Sequence, residues 1–268
     1  MAKVSDIIKI ANDIAPEEYK CSFDNVGLVV GRKDAEVSRA IVCLDVTNEV
    51  LKEAIEEGAT LIISHHPMIF DGVKKITDET IMGNKILTAV ENGISIYAAH
   101  TNLDCVQDGI NDFVANLLTL SDIQVMDNHV DGEDGVGIGR VGNLSSKMYA
   151  GVLKGQVETE FKDKYVRLIG EPLTIVSRVA IINGGGGGET EYVDMAKNMG
   201  ADCLITADVK HHVAIYAQDS GITVIEPQHY TMEHCYLTRL TQLLKIEVAS
   251  RKLDVEIKQS KKDINPRF

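Results

Sequence analysis

The strongest constraint on this chain is an order of elements that occurs twice. Arg39 to Asp45 (Arg-Ala-Ile-Val-Cys-Leu-Asp) is a β-branched, apolar run that reads as a buried strand. Thr47 stands as N-cap to a helix reaching Glu57, and Gly58 closes it. Leu61 to Ser64 is the next strand, a helix over 81–92 ends at Gly93, and Ile94 to Ala98 is the third strand. The order then returns: a strand from Arg178 to Ile182, a helix over 189–199, Cys203-Leu204-Ile205, a helix over 209–219, and a strand from Ile222 to Ile225. Gly58-Ala59 and Gly200-Ala201 precede the middle strands, and Gly93-Ile94 and Gly221-Ile222 open the third ones. Strands alternating with helices imply parallel or mixed sheets covered by helices. The expectation is an α/β chain made of two related α/β lobes with mixed or parallel sheets.

Helix 4–14, strand 28–30 and helix 108–119 complete the first half. Residues 126–145 are rich in Gly and Asp, read as loop plus short strands, and mark the boundary. The first lobe is therefore expected over 1–125, completed by the C-terminal helix 231–250. The second is expected over 126–230, with a further strand at 165–169.

A net charge of -13 argues against a nucleic-acid or anionic-membrane binder, because phosphate binding needs a positive field. The basic residues Lys258, Lys261, Lys262 and Arg267 read as a short solvated tail. No apolar run reaches the roughly 20 residues of a spanning helix, and Asp6 interrupts the start before an h-region forms. A cytoplasmic location is the default expectation. Five widely spaced cysteines without C-x-x-C disfavour a disulfide framework or a zinc ribbon.

Six of the eight histidines sit at strand ends or helix starts. Ser64-His65-His66-Pro67 follows the run Leu61-Ile62-Ile63. In a regular strand His65 and His66 point to opposite faces, so they converge on one site only if the chain leaves the strand there. Pro67, which cannot propagate a ladder, supports that; a surface turn with two solvated imidazoles is the alternative. His100-Thr101-Asn102-Leu103-Asp104 adds a histidine and a carboxylate after another strand, or is simply an Asx-type turn. His229 and Glu233, spaced i and i+4, share one face of the last helix. Together these segments supply enough ligands for two metals, which typically lie about 3.5–4 Å apart in such centres. Asp208 and His211, at a helix start after Thr206, are acid/base or ligand-supporting candidates. His129 and His234 read as structural. Gly184 to Gly188 fail the dinucleotide fingerprint at Glu189 and lack Gly-Lys-Ser/Thr, so a tightly turned or flexible backbone is the reading.

In its motifs the chain resembles the GTP cyclohydrolase 1 type 2 homologues, the Nif-three-like dinuclear-metal family. The resembling pieces are Phe23-Asp24-Asn25-Val26-Gly27-Leu28, Ser64 to Pro67, His100 to Asp104, Gly137-Ile138-Gly139-Arg140-Val141-Gly142, Thr206 to His212, and His229-Tyr230-Thr231-Met232-Glu233. They span nearly the whole chain in order. The resemblance implies a metal pair in the cleft between the lobes and a ring-shaped homo-hexamer. It implies His65, His66, Asp104, His229 and Glu233 as metal ligands, Glu233 bridging, with His100 a nearby participant. Phe23 stands where the family often has tryptophan, and the chain is too short for the extra central domain of longer members.

The metal expected is two divalent ions per subunit: Zn, Fe, Mn, Co or Ni, among which imidazole plus carboxylate does not choose. The functional expectation is a metal-dependent hydrolase acting on a nucleotide-like or cyclic amide substrate, cyclohydrolase-like by resemblance. The alternative is a non-catalytic metal-binding or regulatory hexameric assembly.

Overall fold

Leu61–Ser64 (β3) is buried at all four positions, as befits a central strand covered on both faces. The computed structural model describes residues 1–128 and 133–267, which leaves His129 outside the described residues. It divides into two compact units, Met1–Leu103 with Tyr236–Phe268, and Asp104–Cys235. Each is built on a mixed sheet, so the expected pair of α/β lobes is present.

The first unit opens with α1 (Val4–Ile14), which buries Val4, Ile7, Ile10 and Ala11. Its sheet has the order β1-β4-β3-β2-β11, formed by Gly27–Val30 (β1), Arg39–Cys43 (β2), β3, Ser95–Ala98 (β4) and Glu256–Gln259 (β11). Strands β2, β3 and β4 run parallel, with Ala40 opposite Leu61 and Leu61 opposite Ser95, and β1 lies antiparallel on β4. Helix α2 (Asn48–Glu57) is capped as its residues predict. The Thr47 hydroxyl accepts the Val50 N–H, and Gly58 takes a left-handed φ of 67°. Val50, Leu51 and Ala54 of α2, with Ile86 and Ala89 of α3 (Ile81–Glu91), pack on Ile41, Ile62 and Ile96.

The basic C-terminal segment is a solvated tail only in part: Lys261, Lys262 and Arg267 are exposed, but Lys258 lies in a strand. Strand β11 runs parallel to β2 with Ile257 buried. Its one cation, Lys258, is neutralised locally, with Nζ 2.8 Å from Glu57. Beyond it the Lys261 N–H donates to the buried Glu53 carboxylate at 2.9 Å.

In the second unit the sheet order is β5-β6-β8-β9-β10-β7, formed by Ser121–Asp127, Ile138–Tyr149, Ile175–Ile181, Cys203–Ile205, Thr223–Glu226 and Arg167–Ile169 respectively. Strands β8, β9 and β10 are parallel, and β7 lies antiparallel on β10 as β1 does on β4. The echo in sequence is thus an echo in topology. The units differ on the far side, where antiparallel β6 borders β8 but parallel β11 borders β2.

Two local expectations differ from the structure. In the Gly-rich stretch residues 133–137 are turn and loop as expected, but from Ile138 the chain is not in a short strand: β6 runs for twelve residues between β5 and β8. Its glycines permit close approach, since a Cβ at Gly139 (φ +71°) would strike Ile182 and the Ile181 carbonyl. The unit division also falls at Leu103, not after residue 125, because α5 (Ile110–Leu117) and β5 pack with β6. Helix α6 (Ala150–Glu160) was not anticipated; Gly151 and Gly155 weaken its helical signature, while Ala150, Leu153 and Val157 supply its buried stripe. The helices α7 (Glu191–Asn198), α8 (His211–Ser220) and α9 (His229–Ser250) follow the expected order, α9 beginning in the second unit. Among the described residues no helix is long and apolar enough to cross a membrane.

Candidate metal centre

In the first unit the adjacent histidines do leave the strand. The His65 N–H donates to the Cys43 carbonyl and the His66 N–H to the Leu44 carbonyl, each at 3.0 Å. Two consecutive N–H groups directed to one neighbouring strand are incompatible with regular strand alternation. The Ser64 hydroxyl closes the turn by donating to the His66 carbonyl at 2.8 Å. The two rings come to rest 5.1 Å apart, centroid to centroid. His100, past the end of β4, lies 5.1 Å from His65 and 5.6 Å from His66 by the same measure. One ligand nitrogen from each of the three lies within 4.8 Å of the other two.

Each of these rings is oriented through Nδ1. That of His65 is 2.8 Å from the Ala99 carbonyl oxygen, that of His66 is 2.9 Å from Asp45 Oδ1, and that of His100 is 2.9 Å from Asp24 Oδ1. Carbonyl and carboxylate oxygens only accept, so Nδ1 carries the proton and Nε2 is the nitrogen that could hold an ion. Asp24 is buried and also accepts from the Thr101 N–H and hydroxyl, at 3.0 and 2.5 Å. Burial raises its pKa, but the hydrogen bond and charge of His100 and the two bonds from Thr101 outweigh that, leaving it at about 2.

The second unit assembles a matching set at the carboxyl ends of its own parallel strands, where α/β sheets place ligands. Asn183 follows β8, Asp208 follows β9 and His229 follows β10. His229 Nδ1 is 2.7 Å from Asp208 Oδ2, and its Nε2 is 2.9 Å from Glu233 Oε2, one helical turn along. Asp104, in the short helix α4 (Thr101–Cys105), is buried, as is Glu233. The Asn183 side-chain amide donates to Asp104 Oδ1 at 3.0 Å and reaches Glu233 Oε1 at 3.4 Å.

A family model described as Duf34/NIF3 (NGG1p interacting factor 3) matches residues 2–266. The chain belongs to the Duf34/NIF3 family. It is 36% identical over 265 residues to a Clostridium perfringens protein named GTP cyclohydrolase 1 type 2 homolog, covering 98% of each chain. It is 35% identical to the Clostridium acetobutylicum protein of that name, over 98% of this chain and 97% of the relative. Among solved structures, a Staphylococcus aureus hypothetical protein superposes with a TM-score of 0.90 at 28% identity, covering 99% of this chain and 98% of that one. Reduced HcgD from Methanocaldococcus jannaschii gives 0.80 at 27% identity, with 96% and 97% covered.

In this NIF3 chain the imidazoles of the first unit and the imidazole and buried carboxylates of the second are donor sets that suit a divalent metal ion. Asp24, Asp45 and Asn183 support the ring and carboxylate candidates, and sequence reading assigned none of them that part. Only the Phe23-Asp24-Asn25 motif carried a signal, and Asn25 there donates to the Ile69 carbonyl, fastening the loop after Pro67. Arg140, from the Gly137–Gly142 motif, is buried in a two-point pair with Asp112, at 2.6 and 2.9 Å. It also bonds the Gly137 and Gly139 carbonyls, at 2.8 and 2.9 Å. The five glycines form a packed 3-10 turn, with the Gly187 N–H on the Ala207 carbonyl and the Ala207 N–H on that of Gly184. His211 and His212 open α8 as exposed side chains. His234 stacks on Tyr230 at 4.7 Å, and burial lowers its pKa. The Cys235 thiol is pushed up to about 12, by burial first and then by Glu233, which disfavours the reactive thiolate.

Proposed function

We propose that this protein binds two divalent metal ions through His65, His66, Asp104, His229 and Glu233, with His100 participating, and uses them to hydrolyse a nucleotide-like or cyclic amide substrate. The observation that carries the reading is the fixed orientation of all four imidazoles. Each has Nδ1 on a carbonyl or carboxylate oxygen at 2.7–2.9 Å, which presents Nε2. Such outer partners are characteristic of metal-ligating histidines. Zn, Fe, Mn, Co and Ni all suit imidazole with carboxylate.

Divalent ions held here supply Lewis acidity and water activation near neutral pH. The protein's own part is to hold the donors in place. Asp24 and Asp45 orient His100 and His66, and Asp208 keeps the proton on His229 Nδ1. The substrate class follows from the relatives' name, GTP cyclohydrolase 1 type 2 homolog, with opening of a purine-type ring as the candidate reaction.

Assembly into a homo-oligomer, a hexamer by resemblance, belongs to the same reading. On the second unit Tyr149, Val152, Leu173 and Ile175 expose large apolar side chains on the neighbouring segments 149–152 and 172–175. A surface of that kind is the sort subunits cover. A second reading, metal binding without turnover, is favoured by the exposure of His211, the acid/base candidate from sequence.

The test is a screen of metal-loaded protein against nucleotides, phosphoesters and cyclic amides. The hydrolase reading expects turnover that chelation and His65→Ala both abolish. Protein that retains its metals and turns over none of these classes would leave the second reading in place.

A further inference from the structure

Asn183 stands two residues past the end of β8, where a turn residue would suffice, yet it is buried and fully engaged on its donor side. Its neighbours there are two carboxylates, which only accept, so chemistry requires the NH2 face of the amide toward them. One amide nitrogen thus spans Asp104 Oδ1 at 3.0 Å and Glu233 Oε1 at 3.4 Å. The oxygen of Glu233 that it leaves aside, Oε2, is the one 2.9 Å from His229 Nε2.

The amide is itself held at its backbone. Asn111, almost wholly buried, accepts the Asn183 N–H on Oδ1 at 2.9 Å and donates from Nδ2 to the Asp104 carbonyl at 3.0 Å. Asp104, Asn111 and Asn183 therefore close a ring of hydrogen bonds, with Glu233 attached to it. The next residue, Gly184 (φ +67°), leaves no room for a Cβ against Glu233 Oε1.

We infer that Asn183 is a positioning residue for the metal centre: its amide pins one oxygen of Asp104 and one of Glu233, and so determines which oxygen of each carboxylate faces the ion. The inference rests on the metal-binding reading above. A neutral donor is suited to the task, because it holds two like charges close together without competing as a cation for the ligand oxygens. Loss of such an outer partner typically weakens metal binding about 10–100-fold.

Co(II) titration of the whole protein tests this, following the visible d–d spectrum for coordination and a competing chelator for affinity. Asn183→Leu keeps the branched heavy-atom skeleton and removes the donors; Asn183→Ala is the second variant should the first fail to fold. Either folded variant is expected to bind Co(II) about 10–100-fold more weakly than wild type, with an altered d–d envelope. A merely structural role would lower the melting temperature of the metal-free protein and leave the Co(II) spectrum and affinity alone, which would overturn the inference by itself. Wild-type protein that takes up no Co(II) would overturn the metal reading and this inference with it.

Discussion

Asp208 Oδ2 lies 2.7 Å from Nδ1 of His229, and Asp208 reaches that position with a left-handed φ of +53°. Aspartate tolerates that region better than most residues. The backbone of the loop after β9 is therefore shaped to bring a carboxylate behind an imidazole. Asp208→Asn, which also tolerates this φ, is expected to keep the fold and lower metal affinity about 10-fold or more, as loss of an outer partner does. Equilibrium competition with a chelator reads the change; unaltered affinity would show that Asp208 has no hold on His229.

Gly184 and Gly185 provide a matched pair. Gly184 has φ +67° and ψ -138°, and a Cβ there would overlap Glu233 Oε1. Gly185 has no such φ, and its added Cβ would meet only His229 Cε1 at 3.8 Å, an ordinary contact. Gly184→Ala is expected to lose about 1–3 kcal/mol from backbone strain alone and to weaken metal binding by moving Glu233. Gly185→Ala is expected to be close to neutral on both counts. Thermal melts with and without metal compare the two.

Arg140 is expected to matter for stability rather than for chemistry. It is buried against Asp112 and two carbonyls, so removing it leaves a carboxylate without its cation. Arg140→Ala is predicted to cost about 3–5 kcal/mol in urea unfolding. Arg140→Lys should recover less than half of that, because an ammonium cannot reproduce the two-point fork. Full recovery by lysine would contradict the geometry.

Asp202 carries a pH prediction away from the metal centre. Burial raises its pKa, but bonds from the Ser177 and Arg178 N–H groups and the Ser177 hydroxyl prevail, so it is held below the usual carboxylate value. A depressed folded-state pKa gives stability that is present above the unfolded value, near 3.9, and lost as pH falls below it. Asp202→Ala should cost about 1–2 kcal/mol at pH 7. Its difference from wild type should shrink as pH drops through 4 toward 3. A difference that stays constant with pH would show that the charge is not what stabilises.

The repeated strand–helix order was legible because β-branched runs and closing glycines report local structure directly. Thr47, Gly58 and the buried β3 stand where the sequence puts them. The ligand candidates His65, His66, His100 and His229 were legible because each follows a strand, and Glu233 because it stands one helical turn from His229. Asp24, Asp45 and Asn183 were not, because their roles depend on partners 76, 21, and 79 and 50 residues away, and no local pattern encodes such distances. The start of the tail was not legible for a similar reason. Lys258 looks solvated until β11 is laid beside β2, and Glu57 then neutralises it from 201 residues away. In β6, glycines that mark turns in isolation instead serve close strand contact.

The proposed function requires that this chain hold a pair of metal ions. Metal analysis of anaerobically purified protein, alongside His65→Ala and Glu233→Ala, tests it most directly. The account predicts two equivalents per wild-type chain, with both lost or greatly weakened in Glu233→Ala and at least one lost in His65→Ala. One equivalent or none in folded wild-type protein, or two retained in both variants, would contradict it.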